Sequence, residues 1–250
     1  MNTLTHRTLI IFGITLIIAT QSCKKMGSYY SPALEEYMPL SVGKYIRYRM
    51  DSTRFIFFGQ KDTVISHQAK DVVDAPITDN LGRQGWRIVR YLSDTNGTTP
   101  WKPVSSYMVI STREAIEVVD NNLRFVKLKL PVTEGFSWKG NAYIDTYSLE
   151  SEVKYLDGWD YTYAGLSQPF TTAKGVTVEN TVTIKQRDEV LGTPTDLGFY
   201  SQKNYSVEVY AKGIGLVYRN FLHWEYQPPD GSKPGYKEGY GLKLTLIDHN

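Results

Sequence analysis

From about residue 40 onward, almost every apolar pattern in the chain has period two. Ile46, Tyr48 and Met50 alternate with Tyr45, Arg47 and Arg49, and Trp86, Ile88 and Arg90 alternate with Arg87, Val89 and Tyr91. Period two is the side-chain repeat of a β-strand, so this chain is expected to fold as sheet. Further strands are expected over Asp62 to Asp74, Tyr107 to Thr112, Ala115 to Val119 and Arg124 to Leu130. More follow around Val176 to Ile184, Tyr205 to Ala211, Leu216 to Tyr226 and Leu242 to Leu246. Asp120-Asn121-Asn122 reads as a tight hairpin turn, because Asn tolerates the left-handed backbone that such turns need. Gly213-Ile214-Gly215 reads as another turn; it lacks a third glycine at position 218 and any following helix, so it is not a dinucleotide loop. Tyr143 to Tyr155 reads as a strand pair, and Leu156 to Phe170 as an aromatic loop with a turn at Asp157-Gly158. Strands at this spacing, with no Pro-, Gly- or Ser-rich divider, predict an all-β antiparallel barrel or sandwich as a single domain over 41–250. One short N-terminal helix is expected near Ser31 to Glu36, with Ser31 as cap and Pro32 at its first position.

The N-terminus has a different character. Arg7 precedes an uncharged apolar run, Thr8 to Thr20, and the chain's single cysteine, Cys23, follows it closely. The run is shorter than the ~20 residues that span a bilayer, so it reads as an export signal over 1–22. A cysteine at the cleavage point resembles the lipobox of bacterial lipoproteins, in which the signal is cut before Cys and that Cys carries lipid. Ser22 fits the last position of that pattern, whereas Thr20 departs from its usual Leu and resembles the looser form of Bacteroidetes-type bacteria. Residues 23–40 then read as a lipid-anchored tether. One acyl chain binds a membrane only marginally, and the several chains of mature bacterial lipoproteins make attachment stable. Lys24 and Lys25 lie where each gains ~1 kcal/mol from anionic headgroups. Surface-exported lipoproteins of such bacteria tend to carry acidic residues there, so the Lys pair favours a periplasm-facing position on the outer membrane.

Two further stretches, Met38 to Ser52 (MPLSVGKYIRYRMDS) and Tyr210 to Arg219 (YAKGIGLVYR), resemble elements of uncharacterised bacterial envelope lipoproteins. Ile46 stands where those proteins often carry Trp. The resemblance implies location and fold and brings no catalytic motif.

Charge and motif patterns narrow the chemistry. The chain has 28 basic and 26 acidic residues, with Arg7 alone among them in the signal segment. That near-balance excludes the basic stripe of a nucleic-acid-binding protein. With Cys23 acylated, no disulfide or thiol chemistry remains. There is no Gly-x-Ser-x-Gly elbow, and the histidines lack paired metal-ligand spacing, so no metal or cofactor is expected. Asp157, Asp160, Glu208 and Glu225 are candidate carboxylates for glycoside hydrolysis, which needs two at a fixed separation. Tyrosine is abundant, at 19 against 9 Phe and 5 Trp, as suits half-buried sheet surfaces. The aromatic group Trp138, Tyr155, Trp159, Tyr161 and Tyr163 is the leading candidate for stacking on a glycan or other ligand; the same rings could equally plug a barrel end. The sequence therefore reads first as a non-enzymatic, lipid-anchored envelope protein that binds a glycan, an apolar ligand or an envelope protein. The alternatives are a polysaccharide hydrolase and a structural envelope-assembly factor.

Overall fold

The computed structural model describes residues 34–172, 175 and 177–250, so the signal segment, Cys23, Ser31 and Pro32 lie outside the described residues. Twelve strands form one antiparallel sheet. They are β1 (Tyr45–Ile56), β2 (Lys61–Thr78), β3 (Gln84–Ser93), β4 (Lys102–Ser111), β5 (Ala115–Asp120) and β6 (Leu123–Lys129). They continue as β7 (Ser137–Lys139), β8 (Asp160–Thr171), β9 (Thr177–Leu191), β10 (Ser201–Ala211), β11 (Gly215–Gln227) and β12 (Tyr236–His249). A single turn of helix, α1 (Leu34–Tyr37), precedes them.

Strand order is β6-β5-β4-β3-β2-β1-β12-β11-β10-β9-β8-β7. Every two consecutive strands pair except β6 and β7, and the first and last strands pair with each other in the middle of the sheet. The two edges, β6 and β7, are consecutive in the chain. Full closure would remove both edges, and the sheet curls into a nearly closed barrel that brings them together. At this seam Val126 N donates to Gly140 O at 2.6 Å. Side chains supply the remaining bonds. The Trp138 indole N–H donates to Val126 O at 2.7 Å. The Tyr163 hydroxyl accepts from Lys129 N at 2.9 Å and donates to Lys129 O at 2.8 Å. The seam needs close approach, since a Cβ on Gly140 would stand 2.3 Å from the Tyr161 ring.

The expected hairpin at Asn121-Asn122 is present, with φ of 49° and 62°. Two expectations are corrected. Residues 143–155 form turns and a short 3₁₀ segment instead of a strand pair, because the Asp145 carboxylate accepts from Tyr147 N and Ser148 N and bends the chain there. Residues 160–170, read as loop, belong to β8. Its register slips between Tyr163, Leu166, Gln168 and Phe170, with Gly165 at φ 89° and Ser167 at φ 54°, so bulges hide the alternation.

Part of the stretch expected as a tether is folded. Leu34 and Tyr37 are each only 2% exposed and join the main core with Ile88, Val109, Tyr163 and Tyr210. Gly213 N donates to Glu36 O at 2.7 Å, and Lys212 pairs with the Glu36 carboxylate at 2.6 Å. The folded part therefore includes residues ahead of the expected boundary at 41.

Candidate functional site: a charged cavity inside the barrel

The five aromatics singled out in the sequence are brought together in part. Trp138, Tyr161 and Tyr163 form one cluster, with Trp138 4.7 Å from the Tyr163 ring centre and 6.0 Å from Tyr161. Trp159 lies apart with Phe221 at 6.1 Å, and its indole N–H donates to Tyr155 O at 2.7 Å. These four rings are buried in the main core. Tyr155 is half-buried and stacks on the His223 imidazole at 3.8 Å. None of the five lines the barrel's internal cavity.

That cavity has a volume of about 80 Å³. Its apolar wall includes Ile46, Val73, Ile88, Val109, Leu216 and Leu244, and Met38, Pro39 and Leu40 of the N-terminal arm close part of its rim. A cavity roughly twice this size in a protein core takes up benzene, so the space suits a few waters or a small organic group.

Charged side chains line the remainder. Asp71 on β2 faces Arg90 on β3 directly across the ladder. The guanidinium grips the carboxylate with two bonds, Nε and Nη2 both at 2.6 Å. Tyr107 adds its hydroxyl to Asp71 Oδ2 at 3.0 Å, and Tyr48 donates to Leu216 O at 2.9 Å. Burial pushes both tyrosine hydroxyls well above their ordinary range, so they stay protonated donors. Burial alone would disfavour the charged guanidinium, but Asp71 outweighs it and holds Arg90 above its usual value.

A second group spans the interior from β6 to β10. Lys127 Nζ meets Glu208 Oε1 at 2.7 Å, and the Tyr210 hydroxyl donates to Glu208 Oε2 at 2.8 Å. Lys127 and Glu208 side chains are 7% and 1% exposed, so this is a desolvated ion pair. Burial draws the Lys127 amine below its ordinary value. Burial would raise the Glu208 carboxyl, yet Lys127 and Arg219 together hold it below the usual glutamate range. Arg219, opposite Glu208 in the β10–β11 ladder, reaches only to 3.6 Å from Oε1. Its Nε is buried and has no hydrogen-bond partner among the described residues. Such an orphaned donor costs about 1–3 kcal/mol where it stands.

The carboxylates proposed for glycoside hydrolysis are scattered. Glu208 lies inside the barrel against Lys127, whereas Asp160 is on the surface, 56% exposed and paired with Lys139. Asp157 accepts from Thr146 at the surface. Glu208 and Asp160 therefore do not oppose one another across a common cleft, as the two-carboxylate mechanism needs.

No family model matches the chain, and no curated protein matches it. Among solved structures it is similar to a Bacteroides fragilis protein whose name describes it as exported and as having a YmcC-like fold. The identity is 11%, the match covers 84% of this chain and 97% of that one, and the TM-score is 0.36. So distant a likeness says nothing about function.

Proposed function

We propose that this protein is a lipid-tethered, extracytoplasmic binding domain of the cell envelope, without catalytic activity, whose barrel interior receives a small ligand. The tether is Cys23, exposed as the new N-terminus when residues 1–22 are removed, and the Lys24-Lys25 pair favours a periplasm-facing outer-membrane position. The observation that carries the binding reading is the cavity itself: an apolar wall meeting buried, fixed charges. Apolar pockets with a few convergent polar groups are the usual form of small-molecule sites. Stability alone is a poor reason for those charges, since a buried ion pair often contributes less than apolar residues of equal volume.

The two halves of this reading are tested separately. Mass spectrometry of the protein from its native membrane should find residues 1–22 absent and Cys23 acylated. An intact Met1, or an unmodified thiol, would remove the tether. For the cavity, methyl NMR of the purified full chain titrated with 1-butanol should move the signals of Ile88, Val109, Leu216 and Leu244. Shifts confined to surface methyls would remove interior binding.

A further inference from the structure

Resting on that cavity reading, we infer that the ligand is a short aliphatic monocarboxylate, bound through Arg219 with its alkyl chain along the apolar wall. Charge selects the class. The lining carries four cationic side chains, Lys44, Arg90, Lys127 and Arg219, against the three carboxylates Asp71, Asp120 and Glu208. Arg219, whose Nε has no hydrogen-bond partner among the described residues, is the lining cation placed to take a further anion. An amine brought beside that guanidinium would set two cations together in a partly desolvated space, where they repel.

The pairing pattern singles out the residue. Arg90 is spent on Asp71 through two short bonds. Lys127 is spent on Glu208, whose other oxygen is met by Tyr210. Lys44 donates to the backbone oxygens of Gly213 at 3.0 Å and Asn250 at 3.3 Å. Arg219 is left with a buried Nε that no group among the described residues hydrogen-bonds, and its ion pair to Glu208, at 3.6 Å, is the longer of the two that Glu208 makes. A guanidinium is weakly hydrated and matches the planar geometry of a carboxylate, so it suits this task better than an amine would. Phe221 lies 5.8 Å from the guanidinium carbon and helps fix its plane. Size selects the length: about 80 Å³ takes a carboxylate and a few methylenes, with the rim beside Met38, Pro39 and Leu40 as the exit for a longer chain.

The test titrates the purified full chain with butyrate, 1-butanol and butylammonium, read by methyl NMR and calorimetry. Butyrate should bind at least tenfold more tightly than butanol, with no interior binding of butylammonium. From propionate to pentanoate, affinity should rise about fourfold per methylene, as apolar burial dictates. Arg219→Met should bring butyrate down to the level of butanol while butanol binding persists, which shows the cavity intact. Should Arg219→Met fail to fold, Arg219→Lys is the substitute and should lose at least threefold for butyrate alone. Butanol binding as tightly as butyrate overturns the carboxylate inference and leaves the cavity reading standing. Absence of interior shifts with all three probes overturns both.

Discussion

His223 sits only 7% exposed on β11, between the Tyr155 ring at 3.8 Å and Asn204, whose side-chain oxygen is 2.8 Å from Nδ1. Burial lowers its pKa from 6.5 to about 4. Between those values the unfolded chain takes up the proton and the folded chain does not. Stability from this residue is therefore complete above about pH 6.5 and falls as pH drops toward 4. Allowing for partial solvent access, the loss is roughly 2 kcal/mol. Urea unfolding at pH 7 and pH 5 should record it, and His223→Gln should flatten the difference; equal slopes for both proteins would refute it. The Asp71–Arg90 pair gives a sharper effect. Arg90→Met leaves a carboxylate 6% exposed without its partner, at a cost of about 3–5 kcal/mol. Converting Asp71→Asn in the same chain should recover part of that in a double-mutant cycle, whereas additive losses would mean the two groups act independently. Of the interior charges only Glu208 stood out in the sequence, as a candidate hydrolase carboxylate, and its place in an internal ion pair was not legible. In an alternating strand such as Val207-Glu208-Val209-Tyr210, period two separates two faces without saying which is wet. Here Glu208 and Tyr210 line the interior cavity. The partnership of Asp71 with Arg90, or of Lys127 with Glu208, depends on register and curvature that pattern alone does not carry.

At the scale of elements, the seam explains why a tryptophan and a tyrosine stand where β6 meets β7 and β8. β7 has three residues, too few to satisfy the β6 edge by backbone pairing. The Trp138 indole and the Tyr163 hydroxyl act as surrogate ladder groups for Val126 and Lys129. Trp138→Phe keeps most of the ring's packing and removes the donor, leaving Val126 O buried and unmet. Stability should fall by about 1–3 kcal/mol, with faster amide exchange along β6 than along β2 in the same variant. Exchange that rises equally in both strands would mean that the seam has no separate stability. The aromatic cluster was visible in the sequence as a group; its structural task was not, because the edge of β6 reaches these rings only through the curl of the whole sheet. β11 was legible almost from end to end, and β1, β10 and β12 over the stretches where alternation is regular, although each extends beyond them. β8 was not, since its bulges at Tyr163 to Phe170 break the repeat that identifies a strand. Residues 143–155 misled in the opposite direction: alternation is present, but a single aspartate turn at Asp145 overrides it.

For the whole molecule, the order of strands has a consequence at the N-terminus. β1 and β12 pair in the middle of the sheet, so both chain ends leave from the body of the barrel and its seam lies elsewhere. Lys44 and Asn250 are tied together there, and the Tyr45 amide donates to the Asn250 side chain at 2.7 Å. The arm that enters β1 is packed before it pairs: Leu34 and Tyr37 are core residues, and Met38 to Leu40 border the cavity. The segment joining the barrel to position 23 thus has a folded portion that also forms part of the cavity rim. Leu34→Ala should cost about 2–5 kcal/mol, as for any fully buried leucine, in a chemical denaturation curve. Local release should accompany the global loss, with exchange of the Gly213 amide, bonded to Glu36 O at 2.7 Å, quickened more than that of strand amides in β11. A stability within about 0.5 kcal/mol of the parent would place the arm outside the cooperative fold, with the domain beginning at residue 41 as its strand pattern alone suggests.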